Sequence, residues 1–440
     1  MKLFNSHITR DEEREAIDLI HEKAVRLESM ESPDILFERI GDARVVMLGE
    51  ASHGTHEYYE WRSHISKKLI TEKNFNFIAV EGDWPDCYNI NCCIKSDTAY
   101  NSKITEVLKK FDRWPTWMWA NREIAKLCEW MHKYNKHREK KTGFYGLDVY
   151  SLWESLDAIR GYLEKTDPEA LKKATETFRC FEPYKEDGTS YAYASQLIPD
   201  LCEDEVLALL QQIQKRQPDQ RLQEETIFSA EQNALIAVNA EKYYRAMIRS
   251  SAESWNIRDT HMQETLERLL NFHGPDSKAI VWAHNTHIGD SSATDMADEG
   301  MYNIGELARQ KFPGKTFLLG FGSYNGSVIA GSSWGAEMQQ MLVPDSRKGS
   351  WEYLLHKAGK ENKLLLMEDI RNSFLNEKRI DHRAIGVVYR PQYERYGNYV
   401  PTVLPARYDA FIYIDQTNAL HPLHLHPDTS AVPETYPFGM

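Results

Sequence analysis

The sequence predicts an α/β protein with a largely parallel central sheet flanked by helices. Three observations lead there. Short unbroken apolar runs recur along the chain, helical patterns separate them, and four of the runs end in an ionisable residue. The first is Val45-Val46-Met47-Leu48-Gly49, followed by Glu50. The second is Phe77-Ile78-Ala79-Val80, followed by Glu81. The third is Phe144-Tyr145-Gly146-Leu147, followed by Asp148, and the fourth is Ala279-Ile280-Val281-Trp282-Ala283, followed by His284. Runs this short and this continuous suit strands covered on both faces, as in a parallel sheet.

A fifth stretch, "TFLLGFGSYNGSVIAGSS", predicts two strands joined near Asn325-Gly326. Between the early runs, Ile124, Leu127, Cys128, Met131 and Tyr134 follow the 3.6-residue period of a helix. From 151 to 273 no strand pattern occurs. Segments 151–164, 168–180, 199–214, 224–250 and 258–272 read as successive helices, with Pro168 at a helix start. The tail has strand-like runs at 384–389 and 409–414. The expected organisation is a discontinuous α/β catalytic domain (1–150 and 274–335), an all-helical insertion (151–273) and a smaller α+β portion (336–440).

With 440 residues, 42% of them hydrophobic, the chain has material for a large core. A net charge of −13 argues against a nucleic-acid partner, which needs a basic face. The N-terminal stretch has no apolar signal-peptide region, and no run approaches the ~18 apolar residues of a membrane span. The six cysteines (Cys87, Cys92, Cys93, Cys128, Cys180, Cys202) contain no C-x-x-C pair. They read as reduced thiols of a cytoplasmic protein and not as a disulfide framework. No feature specifies an oligomeric state.

In open α/β sheets ligands bind beyond the carboxyl ends of the strands. Parallel neighbours would gather Glu50, Glu81, Asp148 and His284 on one rim, although acidic residues also simply begin loops. His53, three residues after Glu50, is placed to act as a general base whose tautomer a carboxylate fixes. Arg62 would hold a carboxylate ionised or stabilise an oxyanion; otherwise it is a surface cation. His284 and His287 form an H-x-x-H that suits a metal or an acid/base pair. No cofactor is required by the spacing, but Glu50, His53, Glu81 and His284 together leave room for a divalent metal. His56 and Glu60 read as a solvated i,i+4 pair. Trp117 and Trp119, beside Trp114, suit either a substrate platform or core packing. "HPLHLHP", with His421, His424 and His426, reads as an irregular tail.

A competing motif is Gly331-Ser332-Ser333-Trp334-Gly335, a G-x-S-x-G. It would make Ser333 a nucleophile, with Asp409 and His421 as partners, if a strand precedes it and a helix follows. A third class of reading is a non-catalytic glycan-binding protein.

The blocks "LGEASHG", "FIAVEGDW", "TWMWANRE", "FYGLDVYSLWESL", "SWNIRDTHM", "VWAHNTHIGD", "FGSYNGSVIAGSSWG" and "ARYDAFIYIDQTNAL" occur in order between about residues 30 and 425. In these the chain resembles the erythromycin esterase family, some of whose members are described as succinoglycan biosynthesis proteins. The resemblance implies an α/β domain, a helical insertion, and hydrolysis of an ester or macrolactone such as a macrolide antibiotic. It implies that His53 of the G-E-x-x-H motif is the general base, with Glu50, Arg62, Glu81, His284 and His287 around it. It also places Gly331 to Gly335 in a family block that needs no serine nucleophile. The implied partner is a small-molecule ester or lactone.

Overall fold

A computed structural model describes residues 8–29, 33–96, 101–111, 113–184, 188–198, 201–214 and 224–424. Its strands are β1 (Val25–Arg26), β2 (Val45–Leu48), β3 (Phe77–Val80), β4 (Gly143–Gly146), β5 (Ala279–Trp282), β6 (Thr316–Gly331), β7 (Met338–Val343), β8 (Lys363–Leu366), β9 (Ile380–Arg383), β10 (Tyr399–Thr402) and β11 (Ala410–Thr417). The described residues form a nine-stranded sheet in the order β1-β8-β11-β6-β2-β5-β3-β4, with β7 paired to β6. From β11 to β4 every neighbouring pair is parallel; β1, β7 and β8 pair antiparallel.

The unbroken apolar runs are explained by what lies on each face. Successive side chains of a strand alternate between faces. Val46, Leu48, Ile78, Val80, Ile280 and Trp282 meet Ile65 and Leu69 of the helix His56–Lys73 and Ile124, Leu127 and Met131 of the helix Arg122–Asn135. Val45, Met47, Phe77, Ala79, Ala279 and Val281 meet Met262, Leu266 and Leu269 of the helix Ser251–His273. Strands β2, β3, β4 and β5 are buried at every position, so no polar alternation appears in them.

Helices Leu152–Thr166, Pro168–Phe181, Gly188–Leu197, Glu203–Gln214 and Glu224–Met247 enclose a separate apolar core that includes Leu156, Phe178, Leu209, Ala237 and Tyr243. The helix Gly188–Leu197 was not expected, since "GTSYAYASQL" opens on residues of weak helix propensity. The last helix of this region starts at Ser251, earlier than the expected 258, because the Ser250 side chain caps it by accepting from the Glu253 N–H.

Three expectations are corrected. First, 316–331 is one strand and not two joined by a turn. Asn325 and Gly326 stay in register with Gln416 and Thr417 of β11, which carries the strand past the point where a turn was expected. A Cβ on Gly326 would lie 2.1 Å from the Thr417 carbonyl oxygen, and its φ is 148°, so glycine is there for close approach. Second, 384–389 is no strand; it makes isolated bridges Ser52–Ile385 and Gly331–Val388, whereas 409–414 falls in β11. Third, Cys180 and Cys202 form a disulfide across 22 residues of the helical region; Cys87, Cys92, Cys93 and Cys128 are not disulfide-bonded. Among the described residues no helix is long and apolar enough to cross a membrane.

Candidate active site

The carboxyl ends of β2, β5, β3 and β4 lie side by side, and the ionisable residues that follow them converge. Glu50 leaves β2, Glu81 leaves β3, His284 leaves β5 and Asp148 follows β4. All four are buried, as are His53, Arg62 and His287. The cluster has two halves that meet at Glu81.

The first half is a chain of three groups. Arg62 Nη2 donates to Glu50 Oε2 at 2.7 Å, and His53 Nδ1 donates to Glu50 Oε1 at 3.0 Å. Arg62, on the helix His56–Lys73, is fully buried, its guanidinium 4.3 Å from the Tyr59 ring centre and 4.7 Å from that of Trp282. It therefore pairs with Glu50 and orients that carboxylate. With its Nδ1 proton committed to Glu50, His53 presents a lone pair on Nε2, which has no partner among the described residues.

The His53 and His284 rings lie 4.9 Å apart. His284 caps the short helix Asn285–Ile288: its Nδ1 accepts from the Thr286 N–H at 3.3 Å and lies 2.8 Å from the Thr286 hydroxyl. The ring proton is thus on Nε2, a buried atom without a hydrogen-bond partner. Burial, and then the neighbouring His53, hold the His284 pKa well below the usual imidazole range. His284 is therefore an N–H donor and not a cation. Glu81 Oε2 accepts from the His284 backbone N–H at 2.8 Å and ties this turn to β3.

In the second half Arg258 joins three partners. It donates to both Asp148 oxygens (2.9 and 2.7 Å), to Glu81 Oε1 (2.7 Å) and to His287 Nε2 (2.9 Å). Burial alone would raise the Glu81 carboxyl; the His287 imidazole, 3.3 Å away, and the Arg258 guanidinium outweigh burial and hold it well below the usual range. His287 Nδ1 lies 3.0 Å from both Asp259 oxygens, and its ring stacks on Trp255 at 4.5 Å. Burial pulls the His287 pKa down, but Asp259 and Glu81 push it up to about 9. Arg258 is a pure donor, however, and its approach requires a lone pair on Nε2. In this arrangement the ring is therefore neutral with its proton toward Asp259. A charged His287 and the Arg258 contact exclude one another.

Arg258 and Asp259 were not singled out from the sequence. The signal was available. On the helix Ser251–His273 the buried stripe runs Trp255, Asp259, Met262, Leu266, Leu269, which places an acid on an apolar face. Other expectations fare differently. Trp117 is fully buried against Trp114, with ring centres 5.5 Å apart, and belongs to the core. Trp119 supports the rim from beneath by donating its Nε1–H to the Glu81 carbonyl at 3.1 Å. His56 is not a solvated partner of Glu60; its Nδ1 lies 2.6 Å from Glu123. Ser333 lies in a turn that leads into β7 and not into a helix. Its supposed partners are engaged elsewhere, Asp409 with Arg309 and the Leu318 N–H, and His421 with Glu123, so Ser333, Asp409 and His421 do not form a triad. His426 lies outside the described residues. As for a metal at the rim, Glu50, Glu81 and Asp148 already have guanidinium partners in Arg62 and Arg258.

Gly54 sets the position of His53. Its carbonyl accepts from the Ile329 and Leu420 N–H groups, and a Cβ there would lie 1.9 Å from the Ile329 carbonyl oxygen. The three nearest atoms are all Ile329 backbone, which has little room to yield. Gly54→Ala is therefore expected to lower stability by about 1–3 kcal/mol, as overpacking does, and to displace the His53 loop. Chemical denaturation alongside turnover would check this; unchanged stability would contradict the packing argument.

The erythromycin esterase family model matches residues 70–417. The chain belongs to the erythromycin esterase family. Over 369 residues it is 22% identical to an erythromycin esterase type II of Escherichia coli, covering 75% of this chain and 82% of that protein. Over 397 residues it is 21% identical to the putative hydrolase YbfO of Bacillus subtilis (strain 168), covering 84% and 83%. Among solved structures it is similar to a succinoglycan biosynthesis protein (TM-score 0.77, 19% identity, 94% of this chain and 100% of that one). It is also similar to a mutant of the erythromycin esterase EreC in its open conformation (TM-score 0.65, 16% identity, 87% and 93%). At these identities the structural likenesses establish the shared fold. Family membership supports a hydrolase of the esterase type.

Proposed function

We propose that this erythromycin esterase family member hydrolyses a carboxylic ester or macrolactone by water that His53 activates. The observation that carries the reading is the chain Arg62–Glu50–His53, which leaves His53 Nε2 as a free lone pair beside the unpaired Nε2–H of His284. His53 takes a proton from water, and the resulting hydroxide attacks the ester carbonyl. The neutral His284 N–H donates to the oxyanion that forms. The His53 imidazolium, held by Glu50, then passes its proton to the leaving alkoxide. The braced group of Glu81, Asp148, Arg258, His287 and Asp259 fixes the wall on which His284 sits.

The substrate is a small molecule, and the helical region 151–273 sets which one. Relatives named as erythromycin esterases make macrolides the first compounds to assay, followed by acylated sugars and aryl esters. Turnover of any of them that is lost in the His53→Ala variant supports the reading. Binding of a glycan with no turnover of any ester would replace it with a non-catalytic role in polysaccharide assembly. Ser333→Ala is expected to retain wild-type turnover, and a covalent serine probe to leave the chain unlabelled; labelling with loss of activity would overturn the water mechanism.

A further inference from the structure

Away from this rim, three segments distant in sequence bring two imidazoles and a carboxylate together. His56 opens the helix His56–Lys73, Glu123 lies in the first turn of the helix Arg122–Asn135, and His421 comes from the C-terminal segment. His56 Nδ1 and His421 Nδ1 each lie 2.6 Å from the same oxygen, Glu123 Oε1. One ligand atom from each residue falls within 4.8 Å of the others.

The backbone holds this geometry in advance. Arg122 N–H donates to the His421 carbonyl at 3.0 Å, and Leu423 N–H to Ala120 at 2.8 Å. Leu420 N–H donates to Gly54 at 2.9 Å, and the Asn418 side chain donates to Glu57 at 2.7 Å. The segment carrying His421 is therefore pinned on both sides to the two helix starts that carry the other members.

The two imidazoles are the side chains that meet the Glu123 carboxylate. Glu123 has only 2% of its side chain exposed, its Oε2 has no hydrogen-bond partner, and among the described residues no Lys or Arg pairs with it. A buried carboxylate needs compensating positive charge, which either a protonated imidazole or a cation bound by all three groups supplies. The His421 side chain is 52% exposed and His56 26%, so the cluster opens to solvent on one side. Two imidazole nitrogens, one carboxylate oxygen and a solvent-facing fourth position form a donor set for zinc-class ions, at about 2.0–2.2 Å per ligand. Shifts of a few tenths of an ångström in two partly exposed rings would open that space.

We propose that His56, Glu123 and His421 bind one divalent transition ion of the zinc class, separate from the catalytic rim. The ion would staple the C-terminal segment to the starts of two helices behind the loop that carries His53.

The test uses the untagged full chain, stripped with a chelator and titrated with Zn²⁺ by calorimetry, with elemental analysis after gel filtration and thermal melting. One Zn²⁺ per chain and a higher melting temperature are expected. His421→Ala, at a half-exposed position, is expected to weaken Zn²⁺ binding by more than about 100-fold, beyond what losing an outer-shell partner costs. A His424→Ala/His426→Ala double variant is expected to bind as the parent does. Absence of stoichiometric Zn²⁺, equal affinity in His421→Ala, or loss confined to the tail variant would each overturn the proposal.

Discussion

Arg258→Met is expected to destabilise the chain by about 3–5 kcal/mol, the cost of leaving a buried charge without its partner. The side chain is nearly inaccessible and satisfies Asp148, Glu81 and His287 at once. Methionine fills similar volume but leaves two buried carboxylates facing each other and the His287 Nε2 lone pair unmatched. The deficit has a pH dependence whose sign follows from Glu81. In the parent, Glu81 is held well below its ordinary value, so it contributes stability that is present above the unfolded carboxyl range and lost as pH falls toward the folded value. Without Arg258, His287 Nε2 is free to take a proton and pair with the Glu81 carboxylate 3.3 Å away. Protonation then relieves the repulsion as pH falls. Denaturant titrations at pH 8 and pH 5 should show the larger deficit at pH 8. A loss below about 1 kcal/mol at both would mean that Arg258 is not what balances this wall.

His53→Ala is expected to reduce turnover of the best ester substrate by about 10²–10⁴-fold, the typical contribution of a general base. His53 is buried at 5% exposure but packs mainly against polar neighbours, so the fold should remain. The effect should fall on kcat more than on KM, because proton removal from water occurs only on the way to the transition state. Near-UV circular dichroism of the variant would confirm that the loss is chemical. His284→Asn, by contrast, keeps an N–H donor of different reach and should lose less than His53→Ala.

The fold was legible where burial is uniform. Runs such as Val45–Leu48 and Phe77–Val80 are apolar at every position because helices cover both faces, and their ends mark the rim where Glu50, Glu81, Asp148 and His284 meet. Legibility failed where long-range pairing overrides local chemistry. Asn325-Gly326 carries a strong turn signal, yet β11 continues alongside and keeps β6 extended. Cys180 and Cys202 lie 22 residues apart with no framework pattern, and only the packing of the helical region brings them together. Arg258 and Asp259 were hidden because ionisable residues in a helix are usually solvated; their role depends on the groups that the strand ends and following turns present, Glu81, Asp148 and His287. Trp117 misled for a related reason, since clustered tryptophans suit a core as well as a binding platform.

The central claim is that Glu50 serves catalysis through His53, as one unit. The direct measurement is kcat for the parent, Glu50→Gln, His53→Ala and the double variant, each corrected for folded fraction. Groups acting as a unit are grossly non-additive. Glu50→Gln should slow the parent markedly and change almost nothing once His53 is gone. Equal fractional losses in both backgrounds, or a His53→Ala variant that turns over ester at the parent rate, would contradict it.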